Sequence, residues 1–184
     1  MDLFFIMLEK KVAIIIVTYN SRQFLPACLS SLYKVEYNPD YYQIIIVDNA
    51  STDGTVDILK NLEVQNPKIK IFFNQKNLGF AGGNNLAIQY ALKQNFDYAF
   101  LLNPDTEIDP HFLTEAIELA ERSDTVASVQ SLLLLFRNKD LVQSIGNQIH
   151  YLGFGYALGY QTPLSDNTLP ARGIEITYSS GASM

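Results

Sequence analysis

The sequence predicts an α/β protein whose mostly parallel sheet carries helices on both faces. Two observations lead there. Strand-like apolar runs alternate with helix-spaced segments four times through about residue 122, and such alternation closes as parallel pairs joined by right-handed crossovers. Three of the runs end in polar, acid-tipped segments: VAIIIVTYN at 12–20, YQIIIVDNASTDGT at 42–55, and the strand that leads into LNPDTEID at 102–109. Ends of this kind gather at the carboxyl edge of an open parallel sheet, where such folds bind nucleotides.

Val12–Val17 is a largely β-branched run between turn residues, which suits a strand buried on both faces. A helix is expected from about Arg22 to Lys34, with Leu25, Cys28, Leu29 and Leu32 on one stripe. Gln43–Val47 is the second buried strand. Ser51, Thr52 and Asp53 then offer N-cap chemistry for a helix over Thr55–Gln65. Lys68–Phe73 is a third strand, and the polar, glycine-containing stretch NQKNLGFAGGNN reads as a loop before a helix near Asn84–Gln94. Tyr98–Leu102 is the fourth strand, and Pro110 opens a helix over 111–122. Beyond Thr125 the rhythm changes. Val126–Phe136 and Ile174–Ser179 are strand-like, and Ile149–Gln161 is rich in glycine and tyrosine. No linker, repeat or second core interrupts the chain, so one domain over 1–184 is expected, with a ligand-binding half at about 11–122 and a second half at about 123–184.

Composition narrows the function classes. Apolar residues make up 48% and charged residues 17% of 184, which is globular rather than disordered. A net charge of −6 argues against nucleic acid as a partner. Cys28 is the only cysteine, which excludes an internal disulfide and a cysteine-based zinc site. Its apolar neighbours make it a buried small hydrophobe rather than a nucleophile. The N-terminal apolar run Leu3 to Leu8 is too short to span a membrane and lacks the features of a secretory signal. It reads as a lead-in strand, with membrane-surface contact as the alternative, and a cytoplasmic protein follows. His111 and His150 have no metal-type spacing.

Asn103-Pro104-Asp105 after the fourth strand carries the sharpest chemistry. A hard divalent cation takes oxygen ligands and keeps waters while bridging phosphates. Asp105 supplies one charged oxygen, Asn103 a neutral carbonyl, and Pro104 stiffens the turn. Glu107 and Asp109 suit the same chemistry but read as the entry to the next helix, with Asp109 as its N-cap. Gly79, Gly82 and Gly83 permit close backbone approach, yet GFAGGN lacks GxGxxG spacing and follows the third strand, so it is no dinucleotide fingerprint.

Taken in order, VAIIIVTYN, VDNASTDGT, NLGFAGGNN, LNPDTEID and SSGASM resemble the family 2 glycosyltransferases of GT-A fold, in particular the bacterial and archaeal branch that includes rhamnosyltransferases. The resemblance covers roughly residues 11–184. It implies a nucleoside diphosphate sugar donor, UDP- or dTDP-type, Mg²⁺ or Mn²⁺, and transfer with inversion to a glycan or lipid-linked acceptor. By the same likeness Thr18, Tyr19 and Asn20 line the nucleoside pocket, and Asp48 accepts a hydrogen bond from a ring N–H of the base. A fixed carboxylate there favours an imide-bearing base, and a capping role in an Asp-Asn turn is the alternative. Asp53 reads as structural. Gly181 and Ala182 would wall the donor sugar, and Asp105 with Asn103 would hold the metal. Apart from the likeness, Asn77 and Asn84 flank Gly79, Gly82 and Gly83 and could hydrogen-bond the nucleoside or donor sugar, with a flexible turn whose asparagines cap the next helix as the alternative.

The family's general base follows a segment like SSGASM. The chain ends at Met184, so a C-terminally truncated protein is expected and the catalytic base is unassigned. Asp166 and Glu175 do not match its position. Tyr151, Phe154, Tyr156 and Tyr160 read as a twisted hairpin with half-buried rings, or as a stacking surface for an acceptor. A binding module without turnover is the alternative function. A nucleotidyltransferase would need a glycine- and basic-rich loop after the first strand, where TYNSRQF offers only Arg22.

Overall fold

A computed structural model describes residues 10–66, 68–166 and 173–184. The expected lead-in strand at 3–8 lies outside the described residues. Internal contacts divide the chain into two compact units, Met1–Thr114 and Glu115–Met184.

The first unit is a four-stranded parallel sheet of β1 (Val12–Thr18), β2 (Tyr42–Asp48), β3 (Ile69–Phe73) and β4 (Tyr98–Leu102), in the order β3-β2-β1-β4. Ile14, Ile15, Ile16, Ile45 and Ile46 are fully buried. Branched side chains pack on both faces of a pleated strand, so the two central strands read as continuous apolar runs. Thr18 stands opposite Asp48 across β1 and β2, and Ile16 opposite Leu102 across β1 and β4. The chain leaves β1 for β2 and β3 on one side and returns to β4 on the other. The crevice between the ends of β1 and β4 is therefore the topological switch point.

The helices follow the apolar stripes. Helix α1 (Leu25–Leu32) buries Leu25, Cys28, Leu29 and Leu32. It starts later than the expected Arg22, because the Ser21 carbonyl accepts the amides of Phe24 and Leu25 in a preceding turn. Helix α2 (Thr55–Gln65) has the expected bounds. Helix α3 (Gly79–Lys93) begins five residues before the expected Asn84, so Gly79, Gly82 and Gly83 form its first turns rather than a loop. Helix propensity disfavours that glycine run, but close packing demands it. A Cβ on Gly83 would lie 2.7 Å from Val17 Cγ1 and 3.3 Å from Asn49 Nδ2. Helix α4 (Phe112–Ala120) is shorter than 111–122. Asp109 Oδ1 accepts the His111 N–H at 2.8 Å at its start, and Phe112 meets Phe100 edge-on at 4.9 Å.

The second unit is built from small antiparallel pairs: β5 (Leu133–Leu135) with β6 (Asn138–Ser144), and β7 (Asn147–Ile149) with β8 (Gly155–Ala157). The strands expected over Val126–Phe136 and Ile174–Ser179 shrink to Leu133–Leu135 and to an isolated bridge between Asn147 and Tyr178. Side-chain bonds and a backbone contact take the place of the ladder. Gln130 Oε1 accepts the Ser180 N–H at 2.7 Å, the Ser131 N–H reaches the Ser183 carbonyl at 3.2 Å, and the buried Ser144 hydroxyl donates to the Gly146 carbonyl at 3.1 Å.

The contact at Gly83 gives a stability test. Gly83→Ala gains helix propensity but forces its methyl against Val17, and overpacking of this kind costs about 1–3 kcal/mol. The variant should unfold at lower urea concentration with an unchanged m-value. Equal or greater stability would show that α3 has room to stand away from β1.

Candidate functional site

The ends of β1 and β2 are locked together by a buried carboxylate. Asp48 is 1% exposed. Its Oδ1 accepts the Thr18 hydroxyl at 3.0 Å and the Ser51 hydroxyl at 2.5 Å, and its Oδ2 accepts the Ser51 N–H at 2.9 Å. A buried charge without such partners would be strongly unfavourable. Thr18 is itself fully buried, so its hydroxyl serves Asp48.

Beyond that carboxylate the two loops interlock residue by residue. The Asn20 N–H donates to Ser51 Oγ at 2.9 Å, and the Thr52 N–H returns to Asn20 Oδ1 at 2.8 Å. The Ser21 N–H donates to Thr55 Oγ1 at 2.9 Å, and the Arg22 N–H to Asp53 Oδ2 at 3.0 Å. Asn20 and Ala50 sit at φ 51° and 63°, in the left-handed region that non-glycine residues seldom adopt. Tyr19, held between these anchors, leaves half of its surface open.

Asp53 also fastens the start of α2, its Oδ1 accepting the N–H and the hydroxyl of Thr55 at 3.0 and 2.6 Å. Desolvation raises its pKa, but the Thr55 hydroxyl and the Arg22 and Thr55 amides together outweigh that and hold the carboxyl below its ordinary value.

Next to β2, Asn49 joins three segments: its Nδ2 donates to the Gly79 carbonyl at 3.0 Å, and its Oδ1 accepts from Asn74 Nδ2 at 2.8 Å. Asn77 Oδ1 accepts the Gly79 N–H at 2.7 Å. Asn84 is buried and donates to the Phe80 carbonyl one turn back in α3, so its amide serves the helix. Gly79, at φ 72°, borders open space, whereas Gly82 packs on Leu78.

Across the switch point the end of β4 differs. The Asn103 carbonyl accepts the Thr106 hydroxyl at 2.7 Å and the Cys28 thiol at 3.8 Å. The half-buried Asn103 amide and the exposed Asp105 carboxylate make no hydrogen bond among the described residues. Burial pushes the Cys28 thiol up to about 12, with the Thr106 hydroxyl opposing and the Asp105 charge adding. That thiol is a packing group, as its apolar neighbours imply.

The cluster thus unites Thr18, Tyr19, Asn20 and Asp48 with the Asn77–Gly79 segment at one edge of the sheet, with Asn103 and Asp105 across the β1–β4 crevice. Gly181 belongs to the second unit, where it is half-buried beside the Ser180–Ala182 turn. That unit also holds a groove of about 760 Å³, lined by Val126, Leu132, Ile145, Ile174 and Tyr178 among others and by no residue of the strand-end cluster. No group of three His, Cys, Asp or Glu side chains able to hold a metal ion occurs among the described residues. Sequence reading missed Ser51, Asn49 and Thr55 as organising residues. Their signal was a run of hydroxyl and amide side chains directly after a fully buried strand.

A parallel sheet with an acid-tipped switch point is one half of the assignment, and the family comparison is the other. Residues 13–166 match the model of glycosyl transferase family 2. The chain belongs to that family. It is 30% identical over 113 residues to a dolichyl N-acetyl-α-D-glucosaminyl phosphate 3-β-D-2,3-diacetamido-2,3-dideoxy-β-D-glucuronosyltransferase of Methanococcus voltae, covering 60% of this chain and 34% of that one. It is also 30% identical over 113 residues to the putative teichuronic acid biosynthesis glycosyltransferase TuaG of Bacillus subtilis, covering 61% and 43%. The chain thus spans about a third to two-fifths of the length of these relatives. Among solved structures, the mannosyltransferase PcManGT of Pyrobaculum calidifontis, in complex with GDP-Man and Mn²⁺, superposes with a TM-score of 0.62 at 21% identity, over 76% of this chain and 41% of that one. S. aureus TarS 1–349 with UDP-GlcNAc gives 0.54 at 21%, over 67% and 38%. The fold of this family 2 chain is the GT-A α/β fold.

Asp53 allows a pH test of the interlock. A carboxyl whose folded pKa is depressed contributes stability that is complete above its unfolded value, near ~3.9, and lost as the pH falls through the lower folded value. Asp53→Asn should therefore be less stable than the parent at neutral pH, with the gap closing below about pH 4. Urea titrations across that range check it, and a gap unchanged down to the acid limit would remove the charge of Asp53 from the account.

Proposed function

We propose that the strand-end cluster binds the nucleoside diphosphate of a sugar donor, UDP- or dTDP-type, and that the whole protein is a glycosyltransferase. It moves a hexosyl or rhamnosyl group to a glycan or lipid-linked acceptor hydroxyl with inversion, in the cytoplasm or at the inner face of the membrane. The observation that carries the reading is the exposed, unbonded Asp105 carboxylate just beyond the end of β4, the strand next to β1, while Asp48 ties the β1 and β2 ends together. Two structural neighbours are described with GDP-Man and Mn²⁺ and with UDP-GlcNAc, which supports a nucleotide-sugar ligand. No helix among the described residues is long and apolar enough to cross a membrane.

In this reading Tyr19 stacks on the nucleoside, and the Asn77–Gly79 segment approaches it with backbone. Asp48 accepts the base N–H on Oδ2, which takes only the Ser51 amide from the protein. Asp48 is nearly fully buried, so this contact requires a local shift of the residues that cover it. One free carboxylate and one amide oxygen suit Mg²⁺ or Mn²⁺ that draws its other ligands from water and the diphosphate, so Asp105 with Asn103 would hold it. When bound, such a cation stabilises the negative charge of the departing nucleoside diphosphate. The general base is unassigned, and a donor-binding module without turnover is the second reading.

Calorimetry with UDP and dTDP, with and without Mg²⁺ or Mn²⁺, tests donor binding. Metal should strengthen binding, and Asp105→Ala should weaken the metal-dependent part by about 10–100-fold, the range found when groups supporting a bound metal are lost. Binding indifferent to metal would remove the role given to Asp105. A sugar-transfer assay separates the transferase from the module.

A further inference from the structure

The tip of the β7–β8 hairpin exposes a run of large apolar side chains. Of the four rings expected to be half-buried, Tyr156 and Tyr160 are about half exposed, but Tyr151 at 87% and Phe154 at 68% stand further out, beside Leu152 at 62% and Ile149 at 55%. The turn that presents them is well tied. The His150 N–H donates to the Phe154 carbonyl and the Gly153 N–H to the His150 carbonyl, both at 2.7 Å, and the His150 ring lies 4.2 Å from that of Tyr151. The short turn therefore holds four large apolar side chains in water, where each is unfavourable.

Charge narrows what covers them. From residue 141 to residue 165 there is no Asp, Glu, Lys or Arg, whereas the chain as a whole is 17% charged with a net charge of −6. The electrostatic match of this stretch is to an uncharged surface, and the acidic remainder of the chain disfavours an anionic one. Tyrosines beside apolar side chains are the composition of the headgroup–acyl boundary, where a ring is buried while its hydroxyl stays wet. A convex tip also enters a deformable interface more readily than it meets a folded partner, which would need a matching hollow.

We propose that the Ile149–Phe154 tip is a membrane-surface anchor that seats in the headgroup–acyl boundary of a zwitterionic bilayer. The anchor deepens the membrane-face location given above, and its test does not depend on donor binding. The chain contains no tryptophan, so Phe154→Trp gives a single emission reporter at the tip. With phosphatidylcholine vesicles, the full chain carrying Phe154→Trp should show a blue-shifted spectrum quenched by brominated acyl chains, with little dependence on salt. In the parent chain, the combined Tyr151→Ser, Leu152→Ser and Phe154→Ser variant should partition to these vesicles more than about tenfold less. Its thermal midpoint and UDP binding should be unchanged. An unshifted tryptophan with vesicles present overturns the proposal. So does equal partitioning of the triple variant, which would put the contact elsewhere. A concentration-dependent dimer without vesicle binding, abolished by the triple variant, would assign the tip to a second copy and overturn it too.

Discussion

The buried Asp48 carboxylate is the constraint on which the rest of the strand-end region depends. A carboxylate that is 1% exposed persists in a fold only where donors surround it, and here those donors come from two segments, Thr18 on β1 and Ser51 beyond β2. Because they must converge on one group, the β1 and β2 loops lose their independence. The exchanges between Asn20, Ser51 and Thr52 follow, and they offset the left-handed backbone of Asn20 and Ala50, which would otherwise be unfavourable. Tyr19 is left on a rigid frame. An exposed ring so placed has little conformational freedom left to lose on binding.

The four parallel strands were legible, β1 and β2 as unbroken runs buried on both faces and the edge strands β3 and β4 as shorter apolar runs: each run from Val12, Gln43, Lys68 and Tyr98 ends within a residue of the observed strand. The start of α3 was not legible. Glycine signals a loop by local propensity, and only the approach of Gly83 to Val17 and Asn49, segments distant in sequence, makes it helical. The second unit was the least readable. Its strands are short, β5 and β6 pair with register shifts, and side-chain amides such as that of Gln130 replace a regular ladder. The same limit applied to the site. The acids at 48, 53 and 105 could be named from their places after strands, but which of them the protein itself consumes depends on which loops face each other.

Asp48 and Asp53 both make scaffold bonds, one buried between two loops and the other accepting the Thr55 amide at the start of α2 and the Arg22 amide. Asp105 stands two residues beyond Asn103 on the neighbouring strand end, with no such partner among the described residues. Register puts Leu102 beside Ile16, two residues before the end of β1, so the Asn103–Asp105 turn emerges next to Thr18. The Asn103 carbonyl, fastened to Thr106 and Cys28, fixes the base of that turn while leaving its acid exposed. In the proposed reading, an exposed carboxylate on a fixed backbone would supply only part of a coordination shell, which a ligand carrying oxygens of its own would complete. A diphosphate would do that, and a neutral sugar would not.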